Sequence, residues 1–257
     1  MLTQAIPNAS NSQRKQFPTQ AIPKEVIMEA TAQTYWLNNL QVASNYNNWI
    51  FSQFQPWLGD RTLEVGCGTG NFSELLAQHS QHLTALDLEA DYVQYTKQRL
   101  QHCPNVEVLQ ADATQLAEQQ AFDSIVMLDV LEHIEDDITT LMQLKQSLSA
   151  DGFLIIKVPA LQSLYGAMDE VIGHHRRYSQ QTLNAALTQA GFGPSRLWYF
   201  NIAGIPGWWL NGSLLKRTTP PSSQVGLFDQ VVPVLRAIES AVKPPVGLSL
   251  FAIARKH

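Results

Sequence analysis

Apolar positions along the chain follow two rhythms, one of about 3.6 residues and one of two, and their alternation predicts the architecture. From about Val26 the rhythm is helical. Ala43, Tyr46, Trp49, Ile50 and Phe54 share one face, and Pro56 with Gly59-Asp60 stops the helix. Strand-like runs follow at Thr62–Val65, Leu83–Leu88, Val106–Gln110, Ser124–Leu128 and Phe153–Val158. Between them stand helical patterns carrying Phe72/Leu75/Leu76, Tyr92/Val93/Leu100 and Ile138/Leu141/Met142/Leu148. Strands separated by single helices require right-handed crossovers, hence an α/β fold with a parallel sheet and helices on both faces.

After Val158 the alternation loosens. Pro159–Tyr178 reads as a long loop. Ser179 caps a helix carrying Leu183, Ala186, Leu187 and Ala190, and Gly191 ends it. Arg196–Asn201 and Leu248–Ala254 read as strands. Between them residues 202–247 form a helical cap or insert with Trp208-Trp209-Leu210, Leu227-Phe228, Val231-Val232 and Val234/Leu235/Ile238/Val242. These read as discontinuous amphipathic stretches, with Pro233 in the first turn of the last one. Residues 1–24 repeat Thr-Gln-Ala-Ile-Pro and are rich in Gln, Asn, Ser and Pro; they read as a flexible, non-catalytic tail, with one domain over 25–257.

Composition narrows the classes. Hydrophobic residues make up 45% and charged residues 15%, which is a globular balance, and the formal net charge of −5 argues against a partner bound through phosphates, nucleic acid above all. Cys67 and Cys103 stand apart and imply neither a disulfide framework nor a paired metal motif, so no metal is expected. No basic segment followed by an apolar core opens the chain, and the longest apolar run, Phe200–Leu215, contains Asn201, Pro206 and Asn211. It falls short of the roughly 18 apolar residues a membrane span needs, and the expected location is cytoplasmic.

The densest chemical signal is Leu63-Glu64-Val65-Gly66-Cys67-Gly68-Thr69-Gly70-Asn71-Phe72, a strand entering a glycine turn and then a helix. Such a turn lets backbone approach a ligand without a Cβ clash. Alone it is weak evidence. Here Leu86-Asp87-Leu88, Ala111-Asp112-Ala113 and Leu128-Asp129-Val130 follow at the ends of the next three strands, where ligands of open α/β sheets bind. Each acid can equally cap the helix after it, yet together they converge on one rim and point to a nucleotide-like ligand.

Tyr46–Val158 resembles the class I S-adenosylmethionine-dependent methyltransferases. Leu63–Gly70 matches the first motif of that family, Asp87 its ribose-binding acid and Asp112 its adenine-site acid. Phe122–Val126 with Asp129–Ile134 matches the fourth-strand motif, and Gly152–Ile156 the fifth. The resemblance implies a Rossmann-like sheet of seven strands, the last antiparallel and formed by Ser249–Ala254. It implies S-adenosylmethionine as cofactor and S-adenosylhomocysteine as product. The cofactor would lie against Glu64, Gly66, Cys67, Gly68, Gly70, Asn71, Asp87, Leu88, Asp112, Ala113, Leu128 and Asp129. A dinucleotide-binding dehydrogenase fits less well, because its third glycine stands three positions after the second.

Methyl transfer from a sulfonium is an in-line displacement that needs the acceptor atom about 3 Å from the methyl carbon, and a base only where that atom must lose a proton. Acceptor groups are expected beyond strands four and five. Gly173-His174-His175-Arg176-Arg177-Tyr178 stands out there. Two imidazoles and two guanidiniums can act as base and anion clamp. Alternatively they form a solvated loop whose arginines pair with Asp169 and Glu170. The segment resembles a Gly-His-x-Arg-Arg-Tyr element of a bacterial subgroup linked to lipid, glycan or secondary-metabolite pathways. His174 or His175 is the expected base, with Arg176, Arg177 and Tyr178 binding the acceptor. His133, one turn from Asp129, is the rival base, or else shapes the cofactor site. Trp208 and Trp209 are expected to cover an apolar acceptor, and contact of 202–247 with a membrane surface is the second expectation.

The reading is therefore transfer of a methyl group to an O or N atom of a small, partly apolar molecule. A lipid-linked or polyprenyl-type acceptor at the membrane is the runner-up. A non-catalytic cofactor-binding partner or regulator is the alternative of another class.

Overall fold

The structure is a computed structural model and describes residues 31–115, 120–219 and 221–256. The tail at 1–24, and the start of the first helix at Val26, lie outside these residues. Among them, seven strands form one sheet in the order β3-β2-β1-β4-β5-β7-β6. The strands are β1 (Arg61–Val65), β2 (His82–Asp87), β3 (Val106–Gln110), β4 (Phe122–Leu128), β5 (Leu148–Pro159), β6 (Arg196–Phe200) and β7 (Ser249–Arg255). β7 alone runs against its neighbours, paired antiparallel with both β5 and β6.

The central strands are buried on both faces, as a parallel sheet covered by helices requires. Leu63, Ile125, Met127, Leu154, Ile156 and Ala252 point to one core, and Val126, Ile155 and Phe251 to the other. The first core is closed by α5 (Asp137–Ser147) and α7 (Gln180–Gln189). The second is closed by α2 (Ser44–Phe54), α3 (Ser73–His79) and α4 (Ala90–Arg99). Ser179 caps α7 as expected, accepting from Thr182 N, and Gly191 ends it at φ +82°.

Three elements differ from the sequence reading. The helix before β1 is two helices, α1 (Ala32–Val42) and α2, broken at Ala43 with φ −86° and ψ 64°. The segment Pro159–Tyr178 is not all loop, since it contains a short helix α6 (Ala167–Val171). After α8 (Gly204–Trp208) and a π-helical turn at Trp209–Leu214, the stretches read as discontinuous merge into α9 (Ser222–Val242), and Pro233 lies inside it rather than in its first turn.

A helix tolerates an interior proline only if the carbonyl four residues earlier finds another donor. That carbonyl belongs to Asp229, and Asn45 Nδ2 donates to it at 3.1 Å. The Asp229 carboxylate in turn accepts from the backbone N–H groups of Asn45 (3.3 Å) and Tyr46 (2.8 Å), capping α2, which has no cap of its own. One reciprocal contact therefore explains both the break at Ala43 and the continuity of α9.

Candidate active site

β1 delivers the glycine turn to the carboxyl edge of the sheet. Gly66, Gly68 and Gly70 have φ of +74°, +51° and +72°. A Cβ on Gly66 would stand 2.5 Å from Val130 Cγ2, so the first position excludes any side chain. Asp87 at the end of β2 accepts from Gly68 N at 2.8 Å and Glu89 N at 3.0 Å. Thr96 Oγ1 donates to Gly68 O, while Arg99 Nη1 donates to Thr69 O and Asn71 Oδ1. Asn71 Nδ2 donates to Leu37 O, placing α1 over the turn. The turn is thus fixed from three sides before any ligand arrives.

Glu64 is buried behind it and accepts from Ser73 Oγ at 2.5 Å. Burial pushes its carboxyl up to about 8. Cys67 and Ala113 are also buried, and burial raises the Cys67 thiol, leaving it un-ionised. Leu88 is 63% exposed. Asp112 accepts from Thr114 N at 2.8 Å and Gln115 Nε2 at 3.2 Å, so it holds the turn after β3.

At the ends of β4 and β5, just beyond Leu128, lies a pair the sequence reading missed. Asp129, in the left-handed region at φ +55°, donates its N–H to Lys157 O, and its carboxylate holds Lys157 Nζ at 2.6 Å. The Lys157 side chain is 5% exposed and that of Asp129 is 42%. Burial alone would lower the ammonium, but Asp129, together with Tyr46 and Glu132 beside it, outweighs burial and holds Lys157 above its ordinary range. The signal was a lysine inside the apolar central strand Phe153–Val158, a place a cation occupies only when paired.

The segment between β5 and α7 wraps around Asp169, which is fully buried. Asp169 accepts from Arg177 Nε (2.8 Å), Arg177 Nη2 (3.1 Å), His174 Nδ1 (2.8 Å) and Gly166 N (3.1 Å). Burial opposes its ionisation, but His174 and Arg177 hold it below the ordinary carboxylate range. Arg177 also donates to Ala160 O, and its guanidinium lies 4.5 Å over the Trp208 ring. His174 Nε2 stands 3.7 Å from Glu132 Oε1, and the rings of His133 and His174 meet edge to face at 4.7 Å. Burial and the neighbouring His174 lower His133 to about 4, so it is a neutral imidazole at pH 7. Glu132 is fully buried, and neither carboxyl oxygen has a hydrogen-bond partner. Burial raises it well above an ordinary carboxyl.

Asp129, Lys157, Glu132, His133, His174 and Arg177 are the charged and imidazole groups lining a cavity of about 360 Å³. Its remaining wall is largely apolar: Trp36 and Leu40 of α1, Tyr46 of α2, Met168 of α6, Trp208 of α8 and Phe228 of α9. Phe72, just after the glycine turn, and Asp129 at the end of β4 are among its lining residues. A site of this volume takes a small organic molecule.

The structure divides the expected acceptor cluster. His133, His174, Arg177 and Trp208 line the cavity. His175, the other expected base, is exposed and is not among the lining residues. Arg176 pairs with Asp137 at 3.1 Å and donates to Glu135 O, and Tyr178 donates to the same Asp137 at 2.7 Å within the core. Neither faces the cavity, nor does Trp209, which is 50% exposed. The cause is competition between two buried acids: Asp169 draws His174 and Arg177 inward, and Asp137 draws Arg176 and Tyr178 to the other side of the segment.

The strand order with a single reversed strand, the glycine turn after β1 and an acid at the end of β2 define the fold of the S-adenosylmethionine-dependent methyltransferases. Residues 63–156 match the family model of the methyltransferase domain. A methyltransferase of that cofactor class from Archaeoglobus fulgidus superposes with a TM-score of 0.60 at 19% identity, covering 86% of this chain and 99% of that one. The phosphoethanolamine N-methyltransferase 2 of Haemonchus contortus, solved with S-adenosyl-L-methionine, gives 0.59 at 17% identity over 82% and 52%. By sequence, nodulation protein S of Sinorhizobium fredii is 39% identical over 74 residues, 29% of this chain and 34% of that protein. A probable S-adenosylmethionine-dependent methyltransferase of Mycobacterium tuberculosis is 27% identical over 173 residues, 66% and 60%. A ubiquinone biosynthesis O-methyltransferase of Xylella fastidiosa is 40% identical over 84 residues, 32% and 34%. The chain thus spans between about a third and three fifths of the length of these relatives.

Proposed function

We propose that the protein transfers a methyl group from S-adenosylmethionine to an O or N atom of a small, partly apolar molecule. The observation that carries this reading is the cavity, apolar along most of its wall and polar at Asp129, at the end of β4. The apolar wall takes the body of the acceptor. Its heteroatom faces Asp129, Glu132, His133 and His174, on the side from which the donor methyl would come. Of the expected bases, His133 and His174 stand at this end, and a base is needed only if the heteroatom is a hydroxyl.

The test begins with the cofactor. Asp87→Ala removes a ribose acceptor and the anchor of Gly68, and should weaken calorimetric S-adenosylmethionine affinity by roughly 1–3 kcal/mol. Unchanged affinity in a folded variant refutes the assignment. Release of S-adenosylhomocysteine on adding a cell extract separates an enzyme from a binding protein.

A second reading is a lipid-linked acceptor taken from a membrane surface, and the outer face of α9 favours it. Leu227, Val231, Val234, Ile238 and Val242 recur along that face and are between 43% and 68% exposed. The two acids within 202–247 are turned inward, Asp229 to α2 and Glu239 to the N–H groups of Asn201 and Ile202. Lys216, Arg217, Arg236 and Lys243 remain outside. An apolar stripe flanked by cations fits an anionic bilayer. No helix of the described residues is long and apolar enough to cross a membrane. Vesicles containing phosphatidylglycerol should sediment the protein, and Val234→Glu with Ile238→Glu should release it. Equal binding by the variant, or no binding at all, removes this reading.

A further inference from the structure

Glu132, His133 and His174 bring one carboxylate and two imidazoles to the same point, with all three ligand atoms within 4.8 Å of one another. We infer that these side chains bind a divalent transition-metal ion of the zinc or cobalt type at the polar end of the acceptor cavity.

Spacing, unmet polar atoms, orientation and access each support the site. His174 Nε2 and Glu132 Oε1 are 3.7 Å apart. Two ligands sharing a tetrahedral ion at about 2.1 Å stand roughly 3.4 Å from each other. The third atom lies within 4.8 Å of both. The polar bonding of the cavity wall is incomplete as it stands. Lys157 is taken by Asp129, and Arg177 by Asp169. Glu132, one of the lining residues, is left fully buried with both oxygens unpartnered. Native structures rarely leave such a group unmet. Orientation comes from Asp169. By accepting from His174 Nδ1 at 2.8 Å, it fixes the tautomer and leaves the Nε2 lone pair free, as outer carboxylates do for metal-binding histidines. Lastly, all three residues line the cavity, so further coordination positions of the ion open onto the acceptor. Three protein ligands with an open position are the pattern of a reactive metal rather than a structural one.

The use of the ion rests on the function proposed above; its binding does not. An acceptor hydroxyl coordinated there loses its proton to solvent, and the metal holds the resulting oxyanion. An oxygen lone pair then forms the O–CH3 bond as the S–CH3 bond breaks. The bonding pair stays on sulfur, giving S-adenosylhomocysteine, with no change of oxidation state. The metal takes the place of a general base, and His174 serves as its ligand.

The full chain, stripped with a chelator and dialysed, is titrated with Co2+ while the visible d–d absorption is followed, and with Zn2+ by calorimetry. One equivalent should saturate both signals. His133→Gln and His174→Gln should each weaken binding at least 10-fold, as should Glu132→Gln. His133 is the least buried of the three, so its variant decides the matter even if the others fail to fold. Absence of saturable binding by the wild type, or unchanged affinity in His133→Gln, overturns the inference. S-adenosylmethionine affinity is measured on the same samples. A protein that takes the cofactor without the ion refutes the metal site alone, and one that takes the ion without the cofactor refutes the proposed function alone.

Discussion

Glu64 shows how a single buried side chain couples the cofactor cleft to pH. Its carboxyl has an ordinary value of 4.5 and is pushed to about 8 in the fold by burial. An acid raised on folding favours the folded state fully below its unfolded value, and that contribution fades as pH rises from about 4.5 to about 8. The ligand-free protein should therefore lose stability across this window in urea titrations. Glu64→Gln, which keeps the shape and the bond from Ser73, should flatten the slope. An identical slope in the variant would place the effect elsewhere. Glu64 and the glycine turn were legible in the sequence because strand, turn and helix follow one another within ten residues. Lys157 was not, because its partner Asp129 is on another strand, and only the fold reveals that the pair exists. The side that His175 takes was not legible for a related reason. Adjacent residues in an extended segment point to opposite sides, and the side each takes depends on Asp137 and Asp169, both distant from the pattern that flagged the cluster.

At the scale of elements, α2 and α9 are held by the reciprocal contact between Asn45 and Asp229. Asp229→Ala removes the cap of α2 and should destabilise the protein by about 1–2 kcal/mol in a urea titration. Asn45→Ala leaves the Asp229 carbonyl without a donor and should cost about 1 kcal/mol. Because both act through one contact, the double variant should lose less than the sum of the two. Full additivity would show that the two helix ends are held independently. The strands were legible to within a residue or two at most ends, since a buried parallel sheet imposes its own apolar run on each strand. The break at Ala43 and the passage of α9 through Pro233 were not. Local rules place a proline at a helix start, and a cap supplied from 184 residues away overrides them.

The whole molecule arranges these parts around the carboxyl edge of the sheet, and its parallel character was legible because strands alternate with single helices whose crossovers obey a fixed hand. The placement of the insert was not, because an amphipathic helix has no sequence rule for which element it covers. Phe228 of α9 and Tyr46 of α2 both line the cavity, and their helices join at Asp229. An acceptor that enters beneath α9 must lift it, and lifting it uncaps α2. The backbone amides of Asn45 and Tyr46 thereby become gauges of how often the enzyme opens. Their hydrogen exchange should run faster than that of Ile50 and Phe51 deeper in the same helix, and an occupied cavity should slow it. Traffic through the site would then be timed by a proton clock in the first turn of α2.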